Sequence, residues 1–321
     1  ILMSALTTAK QLKILLEGVE YNITGDFEKT EITGLCSDSR KVQPGNMFAA
    51  LKGLSVDGHN YLDQAVAAGC SALLVNQGWQ EYAPGDKDWP RVAIVEVTDT
   101  KTALGNVAAN YYDHPDRQLT MIGVTGTNGK TTTTFLVESM LKACGRRPGV
   151  IGTVNYRYND KNNKHIEMEA PFTTPESPTL FALLRTMADE NITDVVMEVS
   201  SHALAQSRLT GLGFDIGVFT NLSRDHLDFH TDMHHYFTSK KLLFTDYIKP
   251  GGRIVIVLDV AADQAMDNSA ASCESNNWSK QMHAELLSLF QTREDSPLMI
   301  TCGMSRDCDI HPHNFTIDIT G

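Results

Sequence analysis

Long apolar runs, an excess of basic residues and closely spaced cysteine pairs are all missing from this 321-residue sequence. No apolar run reaches the roughly 20 residues that a membrane-spanning helix needs. The sequence also shows no basic stretch followed by an apolar segment, which is the pattern of a secretory signal. Lys and Arg number 27 against 39 Asp and Glu, a formal charge of −12. These shortages predict a protein without a membrane span that is a poor general binder of nucleic acid or anionic lipid.

The cysteines are dispersed, and none belongs to a C-x-x-C pair. A disulfide framework or a zinc ribbon would need closer, paired spacing. The pattern therefore predicts free thiols in a reducing cytoplasm. The six cysteines are Cys36, Cys70, Cys144, Cys273, Cys302 and Cys308.

The composition is that of a globular protein, with 42% hydrophobic and 21% charged residues. A chain of this length exceeds one ordinary core and predicts at least two domains. Thr98-Asp99 is typical of a helix N-cap, so we place the boundary near residue 98, giving domains 1–98 and 99–321. A boundary near residue 116 is almost as good, and a monomer is the default expectation.

Short helices and strands alternate along the first hundred residues and predict a small α/β domain. Its predicted helices are Leu6–Glu17 and Tyr61–Ala68, and its predicted strands are Glu31–Cys36, Asn46–Leu51, Ala72–Val75 and Arg91–Val97.

The remaining residues predict a larger domain, in which apolar strands alternate with helices. Such alternation indicates a mostly parallel sheet with helices on both faces, and ligands bind beyond the carboxyl ends of such strands. The strands are Leu119–Val124, Asp194–Val199, Asp215–Thr220, Arg253–Leu258 and Leu298–Cys302, and the helices are Lys101–Tyr112, Thr131–Ala143, Thr179–Glu190, His234–Asp246 and Ser279–Phe290.

The strongest local motif is G-V-T-G-T-N-G-K-T at residues 123–131, between an apolar strand and an amphipathic helix. Glycines let backbone N–H groups close around phosphate oxygens, and the helix N-terminus adds positive potential. Lys130 can neutralise phosphate charge, and the Thr131 hydroxyl can coordinate Mg²⁺. Because Val124 stands where the standard pattern has glycine, the motif predicts a variant phosphate loop.

Two polar clusters follow later strands. Glu198 ends an apolar strand in the run M-E-V-S-S-H-A-L; a buried carboxylate there needs a partner such as Mg²⁺ or a basic residue. The run N-L-S-R-D-H-L-D-F-H begins at Asn221, and its His226 is a candidate metal ligand that Asp225 or Asp228 could orient.

These three clusters together resemble the Mur ligase family, and the phosphate loop alone is also similar to that of folylpolyglutamate synthetases. The resemblance implies transfer of the γ-phosphate of ATP to a carboxylate, followed by attack of an amine on the acyl phosphate. It implies that ATP contacts the loop residues Thr125, Gly126, Thr127, Asn128, Gly129, Lys130, Thr131 and Thr132.

The resemblance also implies two Mg²⁺ ions. Thr131 and Glu198 would hold one ion, and His226 with a carbamylated Lys240 would hold the other. In the family, the carbamylated lysine stands four residues after an aromatic residue, which selects Lys240 over its neighbour. Without the resemblance, Lys240 would be interpreted as a solvated lysine on a helix. The expected catalytic residues are Lys130, His226 and Lys240.

Further patterns resemble the family members that add the third amino acid of the peptidoglycan precursor. The T-T-P pattern beginning at Thr173 resembles the segment that holds the muramoyl dipeptide, and C-S-D-S-R-K-V-Q-P-G-N-M-F from Cys36 resembles the UDP-binding domain. Folylpolyglutamate synthetases lack such a leading domain. The substrate-binding residues implied are Ser39, Thr173, Thr174, Ser200, Gln206 and Arg208.

The implied substrates are UDP-N-acetylmuramoyl-L-alanyl-D-glutamate and either meso-diaminopimelate or L-lysine, in cytoplasmic peptidoglycan synthesis that supports cell shape and division. Family members continue with a C-terminal domain that helps bind ATP and selects the amino acid. The residues from Asn314 to Gly321 are typical of a strand that enters a hairpin. We therefore expect this chain alone to have little or no ligase activity.

Three alternatives remain open at this point. A sister Mur ligase or a folylpolyglutamate-type synthetase would share the chemistry. A fragment that binds the UDP-precursor without catalysis is a second alternative. A simple phosphate-loop hydrolase or switch is the third, although it would not need the cluster of Ser200, Gln206 and Arg208.

Overall fold

The computed structural model describes residues 9–25, 27–53, 56–82, 89, 91–258, 278–291, 293 and 295–313. It divides the chain into two compact units. Unit 1 comprises Ile1–Gln118, Pro175–Asn191 and Gln206–Leu212, and unit 2 comprises Leu119–Thr174, Ile192–Ala205 and Gly213–Gly321. Two later segments thus join the N-terminal residues in one unit. The division into domains 1–98 and 99–321 stays a prediction.

The first part of unit 1 alternates short strands and helices. In chain order these are β1 (Lys10–Gln11), α1 (Leu12–Leu15), β2 (Asn22–Thr24), β3 (Glu31–Ile32), β4 (Gly34–Cys36), β5 (Asn46–Ala49), α2 (Leu62–Ala67), β6 (Ala72–Asn76), β7 (Ala93–Val97) and α3 (Thr100–Tyr111).

The main sheet of unit 1 has the strand order β2-β7-β6-β5-β4, and β1 pairs with β3 separately. β4, β5, β6 and β7 are mutually parallel, and β2 is antiparallel to β7. Asp99 caps α3, because its carboxylate accepts from the backbone N–H groups of Lys101 and Thr102, each at 3.2 Å. Such a cap satisfies N–H groups that have no partner within the helix, as the Thr98-Asp99 pattern predicts.

The rest of the described chain contributes β8 (Thr120–Thr125), α4 (Lys130–Ala143), β9 (Pro148–Ile151), β10 (Asn155–Asn159), β11 (His165–Glu169), α5 (Ser177–Asp189), β12 (Asp194–Glu198), α6 (Ser201–Ala205), β13 (Phe214–Phe219), α7 (Met233–Asp246), β14 (Ile248–Leu258), α8 (Trp278–Phe290) and β15 (Leu298–Gly303). All of these belong to unit 2 except α5, which belongs to unit 1.

The sheet of unit 2 has the strand order β11-β10-β9-β12-β8-β13-β14-β15. The six strands β9, β12, β8, β13, β14 and β15 are parallel to one another. At one edge, β10 is antiparallel to β9, and β11 is antiparallel to β10. On β8, Ile122 packs with Val137 of α4, and Gly123 faces Leu243 of α7. Because successive residues point to opposite faces of a sheet, α4 and α7 cover opposite faces. The predicted mostly parallel sheet with helices on both faces is confirmed.

The strand register brings four polar segments to one edge of this sheet. Glu198 at the end of β12 pairs with Val124 of β8, and Phe219 at the end of β13 pairs with Thr125. Met197 of β12 pairs with Ile151, the last residue of β9. The phosphate loop, Glu198, the segment after β13 and Gly152-Thr153 therefore follow adjacent carboxyl ends, where ligands bind in such folds.

Some predicted elements differ in the structure. Within the predicted helix Leu6–Glu17, residues 6–8 lie outside the described part, Lys10–Gln11 is a strand, and only Leu12–Leu15 is helical. The prediction missed β9, which has only four residues and no distinctive period, and β10 and β11, in which polar residues interrupt the apolar ones. Residues 261–277, whose small and polar composition predicts a surface loop, and the strand predicted from residue 314 lie outside the described residues. So does Leu54 of residues 54–56, which the family resemblance implies would flank the uracil.

Five cysteines lie in the described part of the chain, and all are free thiols, as predicted. No helix within the described ranges is both long and apolar enough to cross a membrane.

Candidate active site

The phosphate loop between β8 and α4 is held by the segment that follows β13. Gly126 has a φ of 151° and Gly129 a φ of 83°, values that favour glycine. A Cβ on Gly126 would lie 1.9 Å from the Thr220 hydroxyl oxygen. The backbone N–H of Thr127 donates to the Asn221 carbonyl and that of Asn128 to the Asn221 side-chain oxygen, each at 3.0 Å. The shape of the phosphate loop thus depends on close contact with Thr220 and Asn221, which follow the neighbouring strand β13.

Lys130, at the start of α4, folds back over this loop. Its ammonium group donates to the carbonyl oxygens of Gly126, at 2.8 Å, and Thr127, at 2.9 Å. Burial lowers the pKa of Lys130, although the charges of Glu198 and Asp225 oppose that shift. The Lys130 ammonium lies where it can reach an anion in the loop.

Lys240 of α7 is 1% exposed. Its Nζ donates to the same Gly126 carbonyl at 2.9 Å and lies 4.6 Å from the centre of the Tyr236 ring. Burial, and then the charge of Lys130, lower the pKa of Lys240 well below its usual value, against the opposing charge of Asp225. The structure therefore places Lys240 in the core beside the phosphate loop, and the solvated lysine is excluded.

Glu198, 1% exposed, lies next to the start of α4. Its Oε1 accepts from the Thr131 hydroxyl and from the backbone N–H of Thr153, each at 3.0 Å. Its Oε2 accepts from the Thr153 hydroxyl, also at 3.0 Å. The structure thus brings together Thr131 and Glu198, which were predicted to share a metal ion.

The two threonines of the T-T-P pattern both connect to Glu198. The Thr174 hydroxyl donates to the Glu198 carbonyl at 2.8 Å and accepts from the Ser200 backbone N–H at 3.0 Å. Thr173 is half-buried, and its hydroxyl lies 3.0 Å from that of Thr153. Thr173, Thr174 and Ser200 are therefore neighbours, and Thr174 itself is 1% exposed.

His226 lies in the exposed segment after β13 and has a left-handed φ of 53°. Its Nε2 is 3.5 Å from an Asp225 carboxylate oxygen, and its ring centre is 5.9 Å from that of Tyr236. His226 and Lys240 thus approach the same aromatic ring. Within the described residues, no three or more His, Cys, Asp and Glu side chains converge as a metal site.

His230, which closes the same segment, is buried and hydrogen-bonded to the Ser201 hydroxyl at 2.9 Å through Nε2. Burial, with smaller contributions from neighbouring histidines and Lys240, lowers the pKa of His230 to about 4. A neutral ring at this position connects the segment after β13 to the start of α6.

Unit 1 contains a separate cavity of about 870 Å³. Ser39, Gln206 and Arg208, which were predicted to bind substrate, all line it. Its described lining also includes the basic side chains Arg40, Lys52 and Lys101 and the acidic side chains Asp38 and Glu176. The volume lies within the range of about 300–1,000 Å³ that is common for small-molecule sites.

Arg208 is oriented inside unit 1 by two acceptors. Its guanidinium donates to the Gln206 side-chain oxygen at 2.9 Å and forms an ion pair with Glu176, also at 2.9 Å. Ser39, in contrast, donates to the Gln64 side chain at 2.9 Å. The cavity thus presents a positioned guanidinium, a group that matches phosphate and carboxylate in a bidentate fashion.

Sequence reasoning missed Thr153 and Glu176. Thr153 follows the unpredicted strand β9, so its position at a strand end was not visible. Glu176 stands directly after T-T-P, and only the fold brings it against Arg208. The sequence also does not predict that Gly152 lies against Glu198. A Cβ on Gly152 would lie 2.4 Å from Glu198 Oε1.

Comparison with curated proteins finds relatives whose names specify a common activity. The chain is 44% identical over 230 residues to a UDP-N-acetylmuramoyl-L-alanyl-D-glutamate–2,6-diaminopimelate ligase of Geobacter sulfurreducens, covering 72% of this chain and 43% of that protein. It is 42% identical over 236 residues to the protein of the same name from Oceanobacillus iheyensis, covering 73% of this chain and 45% of that protein. The chain thus spans less than half the length of these relatives.

Solved structures share the fold. A structure of a UDP-N-acetylmuramoyl-L-alanyl-D-glutamate–2,6-diaminopimelate ligase superposes with a TM-score of 0.69 at 24% identity, covering 94% of this chain and 54% of that one. A structure of MurF from Acinetobacter baumannii gives a TM-score of 0.58 at 21% identity, covering 95% of this chain and 55% of that one.

Two family models match successive parts of the chain. The model described as the Mur ligase family catalytic domain matches residues 31–112. The model of the Mur ligase middle domain matches residues 124–303, more than half of the chain. The chain therefore belongs to the Mur ligase family.

Proposed function

We propose that this chain is the nucleotide- and precursor-binding part of an ATP-dependent ligase that adds the third amino acid to UDP-N-acetylmuramoyl-L-alanyl-D-glutamate. The observation that carries the proposal is the contact between the Thr131 hydroxyl of the phosphate loop and Glu198, beside the Lys130 ammonium. The names of relatives at 40–44% identity support the same reaction and favour diaminopimelate over L-lysine as the third residue.

In this proposal, ATP lies in the phosphate loop of unit 2. The N–H groups at the start of α4 face the phosphates, and the helix adds positive potential there. The loop residues Thr125 to Thr132 surround the nucleotide. The Lys130 ammonium exchanges the carbonyl acceptors of Gly126 and Thr127 for charged phosphate oxygens, which are stronger acceptors.

The residues present fit a Mg²⁺ ion at Thr131 and Glu198. Mg²⁺ prefers oxygen ligands and is bound through one or two carboxylates together with substrate phosphates. The Glu198 carboxylate and the Thr131 hydroxyl lie 3.0 Å apart at the loop and supply such oxygens. These two residues would hold the ion beside the γ-phosphate, where its charge would offset that of the phosphate during transfer.

A second Mg²⁺ ion would be held by His226 and by Lys240 in its carbamylated form. The lowered pKa of Lys240 favours its neutral amine, which attacks the carbon of CO₂ and then loses a proton to give a carbamate. Carbamylation replaces a buried amine with an anion that can bind a cation. Of the two adjacent lysines, Lys241 is engaged by Glu285 at 2.6 Å, which supports Lys240 as the modified residue.

The chemistry proceeds in two steps. A carboxylate oxygen of the precursor attacks the γ-phosphorus of ATP, and ADP leaves, giving an acyl phosphate. The amine nitrogen of the third amino acid then attacks the acyl carbon, phosphate leaves and the nitrogen loses a proton. Positioning and charge neutralisation supply most of the catalysis in such phosphoryl transfers.

The UDP-precursor would occupy the cavity of unit 1. Arg208, oriented by Gln206 and Glu176, places a guanidinium on the cavity lining, a group that matches pyrophosphate or carboxylate. Ser39 lies on the same lining and would contact the uridine diphosphate. In unit 2, Thr173 and Ser200 would contact the muramoyl dipeptide, and Thr174, which is 1% exposed, would position Ser200 by accepting a hydrogen bond from its backbone N–H. The proposed place of this activity is peptidoglycan synthesis in the cytoplasm, by a monomer.

Calorimetric titration with Mg²⁺·ADP tests the nucleotide part of the proposal. The unmodified chain should bind, and Lys130→Ala should weaken binding by at least about tenfold, because a hydrogen bond to a charged group contributes about 1.5–3 kcal/mol. Lys142→Ala is the matched control, since Lys142 lies in the last turn of the same helix. Absence of Mg²⁺·ADP binding by the unmodified chain would contradict the proposal.

A second measurement separates the ligase from a simple phosphate-loop hydrolase. We expect little or no ligase turnover from this chain alone, and any ADP release that it shows should require the UDP-precursor, because the precursor supplies the attacking carboxylate. ADP release should therefore be measured with and without the precursor. Basal turnover that the precursor does not increase would favour the hydrolase.

A further inference from the structure

Thr153 makes two hydrogen bonds to the Glu198 carboxylate. Its backbone N–H and its hydroxyl donate to different oxygens of the Glu198 carboxylate, each at 3.0 Å. The Thr131 hydroxyl donates to Oε1 as well. Two of the three hydrogen bonds that fix the plane of this carboxylate therefore come from Thr153.

Gly152 makes this arrangement sterically feasible. A Cβ at this position would lie 2.4 Å from Glu198 Oε1 and 3.1 Å from its carboxyl carbon. The absence of a side chain lets the carboxylate lie directly against the backbone of residues 152 and 153. The Gly152-Thr153 pair thus forms a backbone and hydroxyl cradle for the buried carboxylate.

The hydrogen-bond directions extend this cradle to Thr173. A carboxylate accepts and does not donate, so the single hydroxyl proton of Thr153 is directed to Glu198. The Thr153 oxygen must then accept the proton of Thr173, whose hydroxyl oxygen is 3.0 Å away. With its proton used in this way, Thr173 presents lone pairs, which match an N–H donor such as a peptide amide and not an anionic group.

We propose that Thr153 is a positioning residue that holds the Glu198 carboxylate in the orientation needed for a divalent cation and sets Thr173 as an acceptor for a peptide N–H group. This inference rests on the proposed function, because it assigns the cation to Glu198 and the peptide to Thr173. Hydrogen bonds from neighbouring residues to a side chain that binds a metal commonly fix the orientation of that side chain.

Thr153→Val tests the proposal, because it removes the hydroxyl and keeps the backbone N–H and the branched shape. The affinity for ADP should be measured by calorimetry with saturating Mg²⁺ and again with a chelator. We expect Thr153→Val to weaken Mg²⁺-dependent ADP binding by about tenfold, which corresponds to about 1.4 kcal/mol. Binding in the chelator should stay within about twofold of the unmodified chain, which shows that the loop is still folded.

Two further variants make the result specific. Thr153→Ser keeps the hydroxyl and should restore Mg²⁺-dependent affinity to within about twofold. Gly152→Ala should weaken it at least as much as Thr153→Val, because the added methyl group displaces the end of the Glu198 side chain. Thr186→Val is the matched control, since the Thr186 hydroxyl bonds only locally to Ala182 in α5, and it should change neither affinity.

Each result has a distinct meaning. An unmodified chain that does not bind Mg²⁺·ADP overturns the proposed function and this inference with it. Binding by the unmodified chain together with unchanged Mg²⁺-dependent affinity in Thr153→Val overturns the positioning role alone. Equal losses with Mg²⁺ and with chelator, which Thr153→Ser does not restore, would show a purely structural effect and also overturn it.

Discussion

Lys130 and Lys240 donate hydrogen bonds to one and the same carbonyl oxygen, that of Gly126, at 2.8 and 2.9 Å. They stand on different helices, α4 and α7, which cover opposite faces of the sheet. Two ammonium groups this close repel each other, and the charge of Lys130 lowers the pKa of Lys240 in addition to the larger effect of burial. Two lysine side chains therefore meet at one carbonyl of the phosphate loop, and burial lowers the pKa of both.

This relationship predicts a carbamate on Lys240. In carbon-13 NMR with enriched bicarbonate, the chain should show a carbamate resonance, because burial lowers the pKa of the Lys240 amine and a carbamate forms from the neutral amine and CO₂. Lys240→Ala should abolish the resonance. Lys241→Ala, the matched control for the adjacent lysine, should retain it. A resonance that survives Lys240→Ala, or none in the unmodified chain, would contradict the assignment.

The buried ion pair between Glu138 and Arg157 predicts a large stability effect. Arg157 donates to Glu138 through Nε at 3.0 Å, and both side chains are less than 10% exposed. Arg157→Met leaves a buried carboxylate without its main partner and should lower the free energy of unfolding by about 3–5 kcal/mol in urea denaturation. The double variant Glu138→Leu/Arg157→Met should regain most of the loss, because no charge is then buried alone.

Lys142→Met is the control for that experiment. Lys142 donates to the same Glu138 carboxylate at 2.7 Å, but its side chain is 49% exposed. Exposed ion pairs contribute about 0–1 kcal/mol, so this variant should change the free energy of unfolding by no more than about 1 kcal/mol. Equal losses for Lys142→Met and Arg157→Met would show that burial is not the reason for the effect.

The same pair predicts a pH dependence of stability. Burial would raise the pKa of Glu138, but hydrogen bonds from Arg157 and Lys142 outweigh it and lower the pKa from 4.5. A carboxyl group with a lowered folded-state pKa stabilises the fold above its unfolded pKa. The destabilisation caused by Glu138→Gln should therefore be full above pH 4.5 and shrink as the pH falls through the folded-state pKa. A constant difference across that range in urea titrations would argue against the lowered pKa.

Cysteine reactivity should differ sharply between two sites. Cys70 is buried, and burial raises the pKa of its thiol to about 12, whereas Cys144 is exposed. The thiolate is the reactive form, so a maleimide should label Cys144 in the native chain and Cys70 only after unfolding. Peptide mass spectrometry would show both. Rapid labelling of Cys70 under native conditions would contradict its place in the core of unit 1.

The parts of the site that the sequence predicts are those whose geometry is local. The glycines and Lys130 of the phosphate loop stand within one short segment, and Glu198 ends a strand that the apolar run V-V-M reveals. Because parallel strands share one carboxyl edge, the proximity of Thr131 and Glu198 follows from those two facts.

The remaining features depend on contacts that no local pattern encodes. Thr153 follows a short strand whose sequence, P-G-V-I, has no distinctive period, and its role depends on Gly152 lying against Glu198. α5 packs in unit 1 although it follows a strand of unit 2 in sequence. The burial of Lys240 could likewise not be read from its neighbours, because a lysine pair on a helix is ordinarily solvated.

Calorimetric binding of UDP-N-acetylmuramoyl-L-alanyl-D-glutamate tests the central claim most directly. The unmodified chain should bind it. Arg208→Ala should weaken binding by at least about tenfold, since it removes the charged guanidinium from the cavity lining. Lys130→Ala and the control Arg185→Ala should leave the affinity unchanged. Failure of the chain to bind this precursor, or equal binding by Arg208→Ala, would contradict the assignment of the cavity and of the reaction.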